Sequence, residues 1–314
     1  MEFIEGKLNE EKVFEGLVFP KTLNPSICNG TTELLVKMIE EKREWLSEIL
    51  KLHNAILFRG FNVSSPEEFR QVVEAFDWEE MPYMGPTNRV MVTNRIYNAN
   101  EAPLHQFINF HHEMFLTKQY PSKILFLCTQ PSPEGGETCI LPSHIVVSKM
   151  EKEIPEFVSE LEKKGFMFKI KTANVNSNAI LGTTWKSYLN TEDEVEAKKR
   201  SMEKLGCNSV EFNEDGSAEF VYGPLNPIRE FEGKRVWFIP IVRHSANKKD
   251  TRTSFGDGTP LPSKGLETYK NILDKVCVDI KWEKGDVMLL DNLSVQHGRR
   301  PAKPPRSVFV SLCK

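Results

Sequence analysis

Apolar and polar positions alternate along this chain with two different periods. Residues 31–52, TTELLVKMIEEKREWLSEILKL, carry apolar side chains at helical spacing and predict a helix with Thr31 or Thr32 as its N-cap. SSPEEFRQVVEAF, 64–76, reads as a capped helix start with Pro66 in its first turn. Further helices are expected over 143–150, 154–164 and 190–205. Short apolar runs predict strands: AILFRGF (55–61, ending in a turn), RVWFIPIV (235–242), GDVMLLDN (285–292) and RSVFVSL (306–312). SKILFLCTQ (122–130) and ETCILP (137–142) read as strands around a PSPEGG turn, and VEFNEDGSAEFVY (210–222) as a hairpin. Many short strands at turn-punctuated intervals predict an antiparallel sandwich or barrel with helices packed outside.

Composition narrows the class. The 314 residues are 39% hydrophobic and 27% charged, which suits a globular protein with a sizeable core. The length allows one large domain or two smaller ones, and no repeat or low-complexity linker divides it. A net charge of −3 makes no electrostatic case for nucleic acid or an acidic membrane. Six scattered cysteines form no C-x-x-C pair, which argues against a cysteine-held zinc or iron–sulfur site. The acidic, polar start is no signal peptide, and no apolar run approaches the ~18 residues of a spanning helix. A cytoplasmic protein with free thiols is the expectation.

One segment breaks the apolar pattern with chemistry. INFHHEMF, 108–115, sets two histidines and a glutamate among phenylalanines. In an extended segment Phe107, Asn109, His111, Glu113 and Phe115 share one face, with Ile108, Phe110, His112 and Met114 on the other. His111 and Glu113 then converge, and imidazole nitrogen plus carboxylate oxygen suits iron(II), manganese or zinc. H-x-E alone is a weak motif, and two ligands hold a metal poorly. His297, in NLSVQHGRRP, is the candidate third ligand. His112, among apolar neighbours, is expected to be a packing or supporting histidine satisfied by a hydrogen bond.

HNAILFRGF, HHEMF, GGET and NLSVQHGRRP followed by Arg306 stand in the order and wide spacing of a known pattern. From about residue 53 onward the chain resembles the taurine dioxygenase and clavaminate synthase-like family of Fe(II)/2-oxoglutarate-dependent oxygenases. The glutamate in place of the commoner aspartate resembles the clavaminate synthase-like branch. The resemblance implies a mostly β fold with flanking helices, a double-stranded β-helix or jelly roll, forming one oxygenase domain over 1–314. It implies that His111, Glu113 and His297 are the metal ligands and catalytic centre, and that Arg306 and Thr138 bind 2-oxoglutarate. It implies decarboxylation of that co-substrate to succinate, coupled by Fe(II) and molecular oxygen to hydroxylation of a small organic substrate, with no nucleic-acid or membrane partner. In that picture the surrounding phenylalanines form a dry shell.

Other features read plainly. SFGDGTPLP, 254–262, lacks the lysine of a phosphate loop and reads as a structured loop before a helix. Arg299 and Arg300 read as ion-paired or solvated, and Trp185 as a core aromatic. Four positions after Arg306, where taurine-type members carry a sulfonate-gripping arginine, stands Val310. Taurine is therefore not expected as substrate; Asn109, Arg243 and the 254–262 loop are candidates for holding something larger. A zinc hydrolase and a non-catalytic metal-binding jelly roll remain as alternatives, although the hydrolase would give Thr138 and Arg306 no role.

Overall fold

The computed structural model describes residues 2–28, 30–85, 89–99, 102–177, 182–242 and 251–314. Among these, an eight-stranded sheet lies against a four-stranded one. The larger runs Phe3–Glu5, Lys21–Pro25, Ala55–Phe58, Val287–Asp291, Lys123–Gln130, Ser307–Cys313, Ile96–Asn98, Met91–Thr93. The smaller runs Val278–Ile280, Thr138–Pro142, Val295–Arg299, Ile108–His111. Every pairing in the two is antiparallel except Lys21–Pro25 with Ala55–Phe58.

Period-two alternation sorts the side chains into layers. Leu57, Phe126, Met288 and Leu290 of the larger sheet meet Ile140, Val278 and Val295 of the smaller one in an inner core. Their chain neighbours Ile56, Leu125, Val287 and Leu289 point outward, under the helices Thr32–Glu41, Arg43–His53 and Pro66–Ala75. Both faces are covered, which is why AILF and VMLL are apolar without interruption. Outside the smaller sheet, Cys139 and Leu141 pack beneath three helices, Ser143–Glu153, Pro155–Lys164 and Ser263–Val276. A second four-stranded sheet, ordered Ser209–Phe212, Ala218–Leu225, Phe166–Lys171, Thr251–Phe255, completes that layer.

Several boundaries differ from the sequence expectation. The 31–52 helix is two helices, capped at the start by the Thr31 hydroxyl, which accepts from the Leu34 N–H. The break is at Lys42 (φ −127°), whose N–H turns to the Ile39 carbonyl three residues back. The 190–205 helix is Glu194–Arg200 continued by a wider turn, Ser201–Leu205, with a separate short helix at Trp185–Leu189. The 235–242 strand ends at Trp237, because the Phe238 and Ile239 N–H groups both bond to the Pro227 carbonyl. The 210–222 hairpin is present as Ser209–Phe212 with Ala218–Leu225. Lys123–Gln130 and Thr138–Pro142 do not pair with each other; the turn between them carries the chain from the larger sheet to the smaller.

Candidate active site

The distal histidine and the H-x-E segment meet across one strand pair. His297 is the direct partner of His111 in the antiparallel ladder, and the two rings lie 4.4 Å apart between centroids. One ligand atom each from His111, Glu113 and His297 falls within 4.8 Å of the others. Glu113 and His297 are buried, and His111 is half-buried. The His111 Nδ1 lies 2.7 Å from the Asn109 carbonyl, so a proton held there leaves Nε2 as the free lone pair. Burial, and then the charge of His297, push the His111 imidazole down to about 4, which keeps it neutral. Burial acts to raise the Glu113 carboxyl, but Arg89 and the two histidines outweigh it and hold Glu113 well below the ordinary carboxylate range.

A bulge and a strained turn produce this geometry. His111 faces His297 and Ile108 faces Arg299, so Asn109 and Phe110 together oppose Gly298. A Cβ on Gly298 would come within 2.5 Å of the Ile108 carbonyl oxygen, so the close approach needs glycine. Beyond the strand, Met114 takes φ +57°, a left-handed conformation unusual for a long side chain. The backbone of Glu113 just before it is pinned by the fully buried Asn292.

Simple alternation therefore fails here. Ile108 shares the cavity wall with His111. Phe110 and Phe115 lie in the outer core, and Phe107 packs against it, so these phenylalanines do not form the shell expected of them. The apolar wall comes instead from Ala99, Ile108, Phe126 and Val308. His112 is the packing histidine. It is wholly buried, stacked on Phe238, with Nδ1 at 2.9 Å from the Phe238 carbonyl and Nε2 at 3.0 Å from the Ser143 hydroxyl.

Thr138 and Arg306 line the same cavity as His111 and His297. They are brought together by the turn at Gly135 and Gly136, both at positive φ (+69° and +77°). A Cβ on Gly135 would sit 2.1 Å from the Pro301 carbonyl oxygen. The Gly136 carbonyl accepts from the Arg306 Nε at 2.9 Å, which fixes the guanidinium. The buried Trp282 indole N–H donates to the Thr138 hydroxyl oxygen at 3.0 Å, so the Thr138 proton is free to point elsewhere.

The other expectations sort as follows. Arg300 is ion-paired with Asp279 and lies over Phe107. Arg299 is neither solvated nor ion-paired: it is buried and donates to the carbonyls of Ala102, Pro103 and Gln106, tying down the segment that leads into the Ile108 strand. Trp185 is core. The 254–262 segment does precede a helix, but none of its residues lines the cavity. Asn109 contributes its carbonyl to His111, and Arg243 lies outside the described residues. Val310 is fully buried in the inner core. Yet the cavity has another cation, Arg89, so the premise that an anion would meet no further partner does not hold. Arg89, Asn292 and Trp282 were not singled out from sequence. An asparagine closing an apolar strand (LLDN) was the one visible signal.

Two imidazoles and one ionised carboxylate, convergent, fit a divalent iron with open positions better than they fit a closed structural site. The His297 Nδ1 has no hydrogen-bond partner, and its Nε2 lies 3.7 Å from the Glu113 carboxylate.

Comparison with known proteins agrees with this donor set. The profile of the family "Taurine catabolism dioxygenase TauD, TfdA family" matches residues 24–312. A clavaminate synthase-like protein of Arabidopsis thaliana is 37% identical over 99% of this chain and 98% of its own. Among solved structures, PvcB of Pseudomonas aeruginosa, an Fe, α-ketoglutarate dependent oxygenase from an isonitrile synthetic pathway, superposes with a TM-score of 0.53 at 14% identity, over 94% of this chain and 86% of that one. An asparagine oxygenase solved with Fe(II), 3-hydroxyasparagine and succinate gives a TM-score of 0.53 at 12% identity, over 90% and 83%. The chain belongs to the TauD/TfdA family and is an Fe- and 2-oxoglutarate-dependent dioxygenase.

Proposed function

We propose that His111, Glu113 and His297 hold the Fe(II), that Thr138 and Arg306 hold 2-oxoglutarate, and that the enzyme hydroxylates a small organic substrate. The observation that carries the reading is that His111, His297, Thr138 and Arg306 line one cavity, with a Glu113 carboxylate oxygen within 4.8 Å of a ring nitrogen of each histidine. Bound iron would supply the redox chemistry that couples 2-oxoglutarate and molecular oxygen to oxidation of the substrate. The chain's own part is binding, orientation and exclusion of water. His111 offers Nε2 because Nδ1 faces the Asn109 carbonyl, and Glu113 stays ionised. Arg306 suits the far carboxylate because a guanidinium keeps its charge when buried and binds carboxylates through a fork of donors. Thr138 donates its hydroxyl proton to the same carboxylate, since Trp282 already occupies its oxygen. Ala99, Ile108, Phe126 and Val308 keep the reacting region dry.

The two facing sheets are read as a double-stranded β-helix, with residues 1–314 forming a single oxygenase domain. Among the described residues no helix is long and apolar enough to cross a membrane, and the six cysteines are free; a cytoplasmic setting is proposed on that basis. The test is anaerobic titration with Fe(II) and 2-oxoglutarate, followed by succinate release across a substrate panel. A weak visible charge-transfer band is expected from iron chelated by the keto acid. No band with the wild type, or an undiminished band with His297→Ala, would refute the assignment.

A further inference from the structure

Arg89 is a buried cation whose donors are mostly unspent. Its side chain is 5% exposed, and it lines the cavity that holds His111, His297, Thr138 and Arg306. One nitrogen, Nη2, donates to the Glu113 carboxylate at 2.7 Å, and the guanidinium lies 4.4 Å above the Tyr83 ring. Nε and Nη1 have no hydrogen-bond partner. Buried guanidinium donors are costly to leave unpaired, so such a group awaits an acceptor.

The charges around the cavity point the same way. Three guanidinium groups, those of Arg89, Arg299 and Arg306, line it, and the carboxylate in contact with them is Glu113 alone among the described residues. Arg299 spends Nη1 and Nη2 on three backbone carbonyls, which leaves only its Nε without a partner. Arg306 is reserved for the co-substrate in the proposed reading. A divalent metal and a doubly charged 2-oxoglutarate would cancel, leaving the surplus positive charge unchanged. Among the described residues Arg89 is the one of the three with two buried unpartnered donors, Nε and Nη1, and with a single carboxylate, that of Glu113, in contact.

We infer that Arg89 anchors an anionic group of the prime substrate, of the carboxylate class, beside the metal ligands. This deepens the proposed function and rests on it. The rest of the substrate has a place to go. Tyr83, whose ring carries Arg89, also borders a neighbouring cavity of about 270 Å³ lined by Thr117, Thr183, Ser187, Asn190 and Lys204. A carboxylate at Arg89 with a polar body reaching past Tyr83 fits both features.

The probe is acetate, titrated at constant ionic strength into anaerobic protein loaded with Fe(II) and 2-oxoglutarate, with acetamide as the uncharged control. The charge-transfer band reports whether the co-substrate stays bound. Wild type should show a saturable spectral shift with acetate and none with acetamide. Arg89→Met should bind acetate roughly 10- to 100-fold more weakly, the loss expected for hydrogen bonds to a charged group, read at saturating Fe(II) because loss of the Glu113 ion pair also weakens the metal, with 2-oxoglutarate affinity kept within a few fold. Arg89→Lys should recover part of the acetate response. No saturable acetate binding by wild type, or equal binding by Arg89→Met, overturns the inference. So does a tenfold or greater loss of 2-oxoglutarate affinity in Arg89→Met, which would put this arginine on the co-substrate. Failure of wild type to bind metal and 2-oxoglutarate at all would instead overturn the oxygenase assignment on which it rests.

Discussion

The side chain of Asn292 closes both backbone hydrogen bonds of Glu113. Its Oδ1 accepts from the Glu113 N–H at 2.7 Å, and its Nδ2 donates to the Glu113 carbonyl at 3.2 Å and to the Pro121 carbonyl at 2.7 Å. Glu113 stands outside any strand, next to a left-handed Met114, so no ladder fixes it. The backbone that presents this carboxylate beside two strand-borne histidines is thus held by one amide 179 positions further along the chain, while Arg89 grips the carboxylate itself.

Asn292→Ala should accordingly weaken Fe(II) binding by about 10- to 100-fold, the usual effect of removing a support behind a metal ligand. It should also lower stability by about 2–4 kcal/mol, since several buried backbone groups lose their partners at once. Metal titration and denaturant unfolding read the two effects separately. Unchanged metal affinity would mean that Glu113 is held by other contacts.

The adjacent histidines should separate cleanly. His111→Ala should abolish metal binding and succinate release while the fold persists. His112→Ala should retain metal but lose about 2–4 kcal/mol of stability, because it empties a packed site and orphans the Phe238 carbonyl. Metal content and melting of both variants decide the point; an iron-free but stable His112→Ala protein would show the roles reversed.

Co-substrate affinity should depend on Thr138 in a way that runs through Trp282. Thr138→Val should weaken 2-oxoglutarate roughly 10- to 100-fold. Trp282→Phe keeps an aromatic ring but removes the indole N–H, so a smaller loss of about fivefold is expected, from a hydroxyl no longer held in one orientation. In Thr138→Val the second change should add little, as expected for partners in one network. Additive losses in the double variant would show that Trp282 does not act through Thr138.

The two cavity arginines of the final strand region should fail differently. Arg306→Ala should cost 2-oxoglutarate binding on the order of 2–5 kcal/mol. Arg299→Met should chiefly lower stability, by about 2–4 kcal/mol, because three carbonyls of the 102–106 segment lose their donor. Titration of the co-substrate against both variants checks this. A wild-type affinity in Arg306→Ala would reassign the carboxylate to Arg299.

The local pattern by itself determined much of this protein. Apolar runs such as AILF and VMLL located the central strands, Thr31 marked a helix start, and HHE, GGET, the distal QHGRR segment and the Arg306 after it named, through their resemblance to a family pattern, the five side chains proposed for the site. What period and spacing could not give is anything decided between distant segments. The bulge opposite Gly298 put Ile108 on the metal side and sent Phe110 to the outer core, since one extra residue in a strand reverses every later side chain. Whether the turn at Gly135 and Gly136 closes a hairpin or crosses between sheets depended on what it packs against, here the Pro301 and Ala302 backbone and the Arg306 side chain. Asn292, Trp282 and Arg89 act through partners between 24 and 179 positions away, at Glu113 and Thr138. A lone asparagine, tryptophan or arginine carries no sign of such a partner in its own neighbourhood, and only the tertiary structure supplies it.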